Sequence, residues 1–264
     1  VTAAGPLLQR DDLLARYARQ ILLPQIDLAG QEALAAARVL LVGLGGLGCP
    51  AALYLAAAGV GELVLADDDT VDLTNLQRQV LFGEADLGLP KAVAATTRLT
   101  ALNPHVRLTP LVLRLAGERL KEQVTASTVV LDGSDNFATR QAVNRACVAA
   151  RRPLVSAAAI RFEAQFAVFD PRLPASPCYA CLYPEVGMDA TDAAPAERCT
   201  AAGVIGPLVG VMGSLQALAA IRLITGAGES PAGALLVFDA LRLEWQRLEL
   251  PRDPACPVCG ADGR

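Results

Sequence analysis

Residues 38 to 55 read Arg38-Val-Leu-Leu-Val-Gly43-Leu-Gly45-Gly46-Leu-Gly48-Cys49-Pro-Ala-Ala-Leu-Tyr-Leu55. Arg38 to Gly43 is a short apolar run of strand length closed by a glycine, the pattern of a strand buried on both faces of a parallel sheet. Gly43, Gly45, Gly46 and Gly48 fall where that strand gives way to a helix expected over about 47–58. Glycines there permit a sharp turn and let the backbone approach a phosphate, which then meets the free N–H groups and positive end of the helix. A second strand, Glu62 to Ala66, ends in Asp67-Asp68-Asp69. A carboxylate at that place can accept hydrogen bonds from ribose hydroxyls. The stretch therefore reads as a nucleotide-binding strand–turn–helix–strand unit, and by itself it serves a dinucleotide redox cofactor or ATP equally well.

The alternation continues outward. Helices are expected at about 90–102, 117–124 and 137–150, with strands at 106–113, 128–132 and 154–158. Strands alternating with helices imply an α/β fold with a doubly wound, Rossmann-like, mostly parallel sheet. Beyond residue 160 the rhythm changes, because Gln165–Phe169, Leu235–Phe238 and Leu243–Leu248 are strand-like without intervening helices. They predict an antiparallel C-terminal extension, with 161–170 crossing into it. Met188 to Ala202 lacks periodicity and is expected to be a long functional loop. With no internal repeat, a single domain over 1–264 is expected. It comprises a helical segment at about 1–37 that includes a helix at Asp11–Gln20, a nucleotide-binding half at about 38–160, and a second half at about 161–264.

Composition bounds the function. A chain of 264 residues that is 53% hydrophobic and 19% charged has ample core material, which excludes disorder. The net charge of -4 offers no global field for nucleic acid or an anionic membrane, so neither is an expected partner. His105 is the sole histidine and sits in Asn103-Pro104-His105, a turn setting that suits a surface loop better than general-base chemistry. Val1 to Arg10 shows no secretory signal pattern, and a cytoplasmic location with reduced cysteines is expected. Val204 to Ile221 carries no charge, but its glycines, Pro207 and Gln216 suit a buried core or dimer-interface helix better than a membrane span.

The residues after the acidic triplet favour a triphosphate. Asn75-Leu-Gln77-Arg78-Gln79 and Gly88-Leu-Pro90-Lys91 bring a guanidinium and one of only two lysines near the glycine loop, and a triphosphate needs such local cations. Asp132-Gly-Ser134-Asp135-Asn136 ends a strand at the edge where doubly wound folds place ligands. Asp135 suits magnesium beside phosphates and, equally, a helix N-cap.

Taken in order, Arg16-Tyr-Ala-Arg19-Gln20, Gly43 to Gly48 followed by Cys49, Asp67 to Asp69, Asn75 to Gln79, Lys91, Asp132 to Asn136 and two C-x-x-C pairs resemble the HesA/MoeB/ThiF family, bacterial relatives of ubiquitin-activating enzymes. The resemblance spans about 16–259. It implies an adenylyltransferase that uses ATP and Mg2+ to adenylate the C-terminal glycine of a ubiquitin-like sulfur carrier of the MoaD or ThiS kind ending in Gly-Gly, releasing pyrophosphate. The pathway would be molybdopterin, thiamine or related sulfur-transfer biosynthesis. By motif match, Asp67 would hold the ribose, Asn75, Arg78 and Lys91 would contact the triphosphate, and Asp135 would organise magnesium. Asp69, Gln79 and Asn136 would line the same site, and Arg19 would reach it from the other subunit of a homodimer. Catalysis would rest on Arg19, Arg78, Lys91 and Asp135. A terminal carboxylate arrives ionised at neutral pH, so the reaction needs no histidine.

Cys178-Tyr-Ala-Cys181 and Cys256-Pro-Val-Cys259 supply four thiolates in two knuckles, the pattern of a closed four-cysteine Zn2+ site that pins the C-terminal segment to the domain. Redox dithiols fit less well, since neither pair opens a thioredoxin-like unit. Cys49 and Cys147 are expected to pack as small apolar residues. Cys199, beside Arg198, is either a bystander or, as the resemblance implies, a persulfide or thioester site. Because the sequence closes five residues past Cys259, sulfur is expected from a separate cysteine desulfurase or rhodanese. Two rivals are an NAD-dependent oxidoreductase, supported by the glycine motif alone, and a catalytically idle carrier-binding scaffold.

Overall fold

The computed structural model describes residues 10–184 and 203–260. Helices α1 (Asp11–Ile21) and α2 (Asp27–Ala36) precede β1 (Arg38–Val42), α3 (Gly48–Ala58), β2 (Glu62–Ala66), α4 (Lys91–Leu102) and β3 (Arg107–Leu111). Then follow α5 (Gly117–Thr125), β4 (Val129–Asp132), α6 (Phe137–Ala150), β5 (Leu154–Ile160), β6 (Glu163–Phe169) and the single-turn α7 (Tyr179–Leu182). The long helix α8 (Gly206–Thr225) and the strands β7 (Ala234–Asp239) and β8 (Glu244–Glu249) complete the described chain.

The strands form one eight-stranded sheet in the order β3-β2-β1-β4-β5-β6-β7-β8. The first five are mutually parallel, and β6, β7 and β8 add in antiparallel fashion, so the mostly parallel sheet with an antiparallel extension is as expected. Alternation along β1 sends Val39 and Leu41 to a core shared with α3, α4 and α8. Leu40 and Val42 face the other core, shared with α5 and α6. Burial on both faces is why these runs are apolar without interruption. By contrast, β8 is exposed along its whole length, and Trp245 covers itself by stacking on Phe238 with ring centroids 4.4 Å apart.

Helix α8 is long and apolar enough to cross a membrane by length and composition. It lies against α3, β4, β5 and β6 instead. Met212, Gly213, Gln216, Ala217 and Ala220 are buried, whereas Val211 and Leu218 are 46% and 52% exposed on its other side. The close approach depends on Gly213, where a Cβ would sit 2.2 Å from the Leu47 carbonyl oxygen. The helix therefore forms a floor directly beneath the glycine loop. It begins at Gly206 with Pro207 in its first turn, runs four residues past the expected stop to Thr225, and is closed by Gly226 in the left-handed region.

Candidate nucleotide site and cysteine cluster

Strand order reverses between β1 and β4, and the crevice outside their carboxyl ends is where open α/β sheets take ligands. A cleft of about 750 Å³ opens there. Gly43, Gly45, Gly46, Asp67, Asp69, Asn75, Arg78, Gln79, Lys91, Asp135 and Asn136 all line it, so eleven of the expected nucleotide residues converge on one cavity. Gly48 is different: it is buried under the turn, and a Cβ on it would stand 2.0 Å from the Gly43 carbonyl oxygen. Gly43 itself has φ +92° and would press a Cβ to 2.8 Å from the Gly133 carbonyl oxygen. The two glycines hold β1, α3 and the β4 loop in contact, and Gly45 and Gly46 face the cavity.

Asp67 closes the turn from the side. Its Oδ2 accepts the Leu44 N–H at 2.7 Å and its Oδ1 accepts the Asp69 N–H at 2.9 Å. Burial pushes its carboxyl above the usual range, and the Leu44 hydrogen bond and the Lys91 charge pull it part of the way back. Lys91, 5% exposed, places Nζ 2.9 Å from Asp69 Oδ2. Asp68, which the sequence left without a role, lies 3.4 Å from Arg114 Nε. Arg78 donates from Nη1 to the Thr74 carbonyl at 2.9 Å. Gln79 is buried with its Oε1 lacking a partner among the described residues.

The helix-cap reading of Asp135 does not hold. Asn136, not Asp135, caps α6, accepting from the Thr139 N–H at 2.9 Å. Asp135 stands exposed on the cleft wall. The loop carrying it is anchored by Asp132, fully buried at the end of β4, whose Oδ1 accepts the Ser134 N–H at 2.9 Å and the Ser134 hydroxyl at 2.6 Å. Gln216 of α8 donates to the Asp132 carbonyl at 2.8 Å. Arg140 donates from Nη2 to the Ser134 carbonyl at 2.6 Å and holds Nε 4.0 Å from Asp132 Oδ2. Sequence reading placed Asp132 at this edge without giving it a role, and it missed Arg140, which lines the cleft. Arg140 lies four positions after the Asn136 cap, which places it one turn into α6, at the cleft mouth.

From Asp135 the cleft continues along β5 past Ser156, Ala157, Ala158 and Ala159, with Gln165, Tyr179 and Tyr183 on its far wall. Small side chains along β5 leave room for an extended backbone. Arg19 lies exposed on α1 and is not among the lining residues. Cys199 and the loop 188–202 fall outside the described residues.

The four knuckle cysteines meet. Cys178 and Cys256 sulfurs are 3.7 Å apart, Cys181 and Cys259 3.4 Å, and Cys178 and Cys181 4.0 Å, with all four within 4.8 Å of one another. Zinc–thiolate bonds of about 2.3 Å at tetrahedral angles require sulfurs about 3.8 Å apart, so the cluster has the size and shape of such a site. Burial pushes Cys259 up to about 11, while the hydrogen bond from Cys178 draws Cys181 down to about 4. As thiolates, four sulfurs this close would need a cation to coexist. Asn144 donates to Cys178 Sγ at 3.5 Å, the kind of outer contact that orients a ligand. Cys49 and Cys147 are buried as expected, and burial pushes the Cys49 thiol up to about 12.

A glycine turn, a carboxylate at the end of the second strand and paired cations at the switch point, backed by a four-cysteine knuckle, define a nucleotide-binding doubly wound α/β protein. The ThiF family model matches residues 17–258, and the chain belongs to that family. It is 53% identical over 245 residues to the sulfur carrier protein ThiS adenylyltransferase of Escherichia coli K12, covering 93% of this chain and 94% of that protein. It is 46% identical over 250 residues to the molybdopterin-synthase adenylyltransferase of the same organism, covering 95% and 98%. Among solved structures, Escherichia coli MccB bound to MccA-N7isoAsn shares the fold with a TM-score of 0.80 at 24% identity, over 94% of this chain and 74% of that one.

Proposed function

We propose that this chain adenylates the C-terminal glycine of a ubiquitin-like sulfur carrier, using ATP and releasing pyrophosphate. The carrying observation is one continuous cleft whose outer end gathers Asp67, Arg78, Lys91 and Asp135 and whose inner end runs along the small side chains of β5. The outer end suits a nucleotide triphosphate, and the inner end suits a Gly-Gly tail in extended form. The names of the two Escherichia coli relatives support the same reading.

In this reading Asp67 holds the ribose, and the glycine loop admits the phosphate chain to the N-terminus of α3. Asn75, Arg78 and Lys91 neutralise the triphosphate, with Asp69, Gln79 and Asn136 around it. The carrier carboxylate attacks the α-phosphorus, forming the acyl–phosphate bond while the α–β bridging P–O bond breaks and its electrons leave on pyrophosphate. No proton moves, so the residues contribute position and charge. Magnesium, held by Asp135 and phosphate oxygens, would supply further neutralisation. Zinc in the Cys178, Cys181, Cys256 and Cys259 cluster would be structural. Arg19 of a second copy would complete the site in a homodimer, to which the exposed Val211 and Leu218 of α8 offer an apolar face. The location is cytosolic, with a desulfurase or rhodanese supplying sulfur, and Cys199 is the candidate for covalent transfer.

The test is pyrophosphate–ATP exchange with ThiS-type and molybdopterin-type carriers in parallel. Carrier-dependent exchange that collapses in Asp135→Ala is expected. Absence of exchange with every carrier, together with tight NAD binding by calorimetry, would instead support the oxidoreductase reading.

A further inference from the structure

A tail ending in Gly-Gly carries no side chain to recognise, so its selection falls to groups that bond its backbone carbonyls and N–H groups. Alternation along β6 puts Gln165 on the same face as Ala167 and Phe169, directly across from Ala158 of β5 and beside Val237 of β7. Its neighbours on this floor are small or apolar, whereas Gln165 lines the cleft with an amide. That amide is held from one side, because the Tyr183 hydroxyl donates to Gln165 Oε1. Tyr183 is itself fixed. Its ring packs on Tyr179 with centroids 5.0 Å apart, its N–H donates to the Tyr179 carbonyl at 2.9 Å, and its carbonyl accepts from Nε2 of the buried Gln141 at 2.6 Å. An amide has one acceptor oxygen and two donor hydrogens. With the oxygen engaged by Tyr183, the Gln165 Nε2 hydrogens, which no described residue accepts, are left to the cleft. Ser156 pairs with Asp132, the last residue of β4, and Ala158 lies two positions further along β5. At about 3.3 Å per residue along a strand and about 4.8 Å between strands, Gln165 is about 8 Å from Ser156. An extended chain whose carboxylate lies at the 133–136 loop therefore reaches Gln165 with a carbonyl about two or three residues back.

We propose that Gln165 is a specificity-determining residue for the carrier: its Nε2 donates to a backbone carbonyl of the tail, and Tyr183 is a positioning residue that keeps the donor side of the amide turned to the cleft. This tail contact rests on the adenylation reading.

Gln165→Met keeps the length of the side chain and removes its donors. With the carrier that supports pyrophosphate exchange, it is expected to raise KM for the carrier and the calorimetric Kd of the intact carrier about tenfold. KM for ATP should stay within twofold, and the melting temperature should not change. The same carrier shortened by four residues docks by its body alone, so its Kd should be equal in wild type and Gln165→Met. Tyr183→Phe frees the amide to turn and is expected to weaken the intact carrier about threefold, with no further effect in a Gln165→Met background. Unchanged affinity for the intact carrier in Gln165→Met, or equal weakening of the intact and shortened carriers, overturns the proposal. Should Gln165→Met fail to fold, Tyr183→Phe carries the test: a threefold loss confined to the intact carrier supports the contact, and no loss overturns it. Wild type that exchanges pyrophosphate with no carrier brings down the adenylation reading and the tail contact together, whereas an active wild type with an indifferent Gln165→Met brings down the contact alone.

Discussion

Alanine substitutions at Gly48, Gly46 and Gly45 separate the structural from the ligand-facing part of the loop. At Gly48 a Cβ would meet the Gly43 carbonyl oxygen at 2.0 Å and its carbon at 2.9 Å. Ordinary carbon–oxygen contact begins near 3.4 Å, so about 1.4 Å of backbone movement is required. Gly43 cannot retreat, being held at φ +92° and backed by Gly133. Overpacking in closed surroundings costs about 1–3 kcal/mol, and a clash against backbone on both sides belongs at the upper end. For a domain of this size each kcal/mol shifts the melting temperature by about 2–4 °C, so Gly48→Ala is expected to melt about 6–12 °C lower. At Gly46 the obstacle is Val209 Cγ2 at 2.7 Å, a side chain that can change rotamer, and about 1 kcal/mol is expected. At Gly45 the nearest atom is Gln79 Nε2 at 4.0 Å, so stability should not change, but the new methyl projects into the cleft. Gly45→Ala should therefore weaken ATP binding at least tenfold at an unchanged melting temperature. Thermal unfolding and calorimetric ATP titration of the three variants decide the matter. Equal melting temperatures for Gly45→Ala and Gly48→Ala, or full ATP affinity in Gly45→Ala, would refute the reasoning.

Burial pushes the Cys49 and Cys147 thiols well above their ordinary value, so neither should be alkylated by iodoacetamide at pH 8 in the folded protein, as read by peptide mass spectrometry. Metal removal should open a cross-link between Cys181 and Cys256, 75 residues apart. Loop-closure entropy for that span is about 4.5 kcal/mol, so chelation or Cys259→Ser should lower the melting temperature by about 9 °C or more and release one zinc per chain. In the proposed ribose role Asp67 would accept hydroxyls best when ionised, so nucleoside affinity should be full above its pKa and fall as pH drops through it. Because burial raises that pKa, the loss for adenosine should begin at a higher pH than an exposed carboxylate would give, and Asp67→Asn should flatten the profile.

The βαβ core was legible because parallel strands buried on both faces leave uninterrupted apolar runs, and the glycine turn marks where the first one ends. Edge elements were less so: β3, expected over 106–113, spans Arg107–Leu111 and is partly exposed, which weakens its pattern. Helix α2 was not separated from the N-terminal helical segment, since its alanine-rich face carries little periodicity. In the site, residues with a distinctive type or spacing were readable, namely the glycines, Asp67, Lys91 and the cysteine pairs. Arg140 was not, being one arginine among many, and neither was Gln216, whose bond to Asp132 crosses 84 positions of sequence. Long-range hydrogen bonds between ordinary polar residues leave no local signal.

The acidic triplet, puzzling beside a site for a polyanion, follows from the state of the cleft before nucleotide arrives. Lys91 is almost wholly buried, and an unpaired ammonium there would pay a heavy desolvation cost. Asp69 meets it at 2.9 Å, Asp68 meets Arg114 at 3.4 Å, and Asp132 stands 4.0 Å from Arg140. The first two carboxylates are 70% and 46% exposed as side chains, so water screens them, and the Asp68–Arg114 pair, exposed on both sides, is worth at most about 1 kcal/mol. On the proposed reading, such pairs would hold the cations in place and exchange for a triphosphate of about four negative charges. Asp132 is fully buried and hydrogen-bonded on Oδ1 to Ser134, so it stays and keeps the loop shaped. The carboxylates thus divide by burial into exchangeable partners and a fixed anchor. A chain with a net charge of -4 can in this way present local positive charge to a nucleotide without carrying a basic surface.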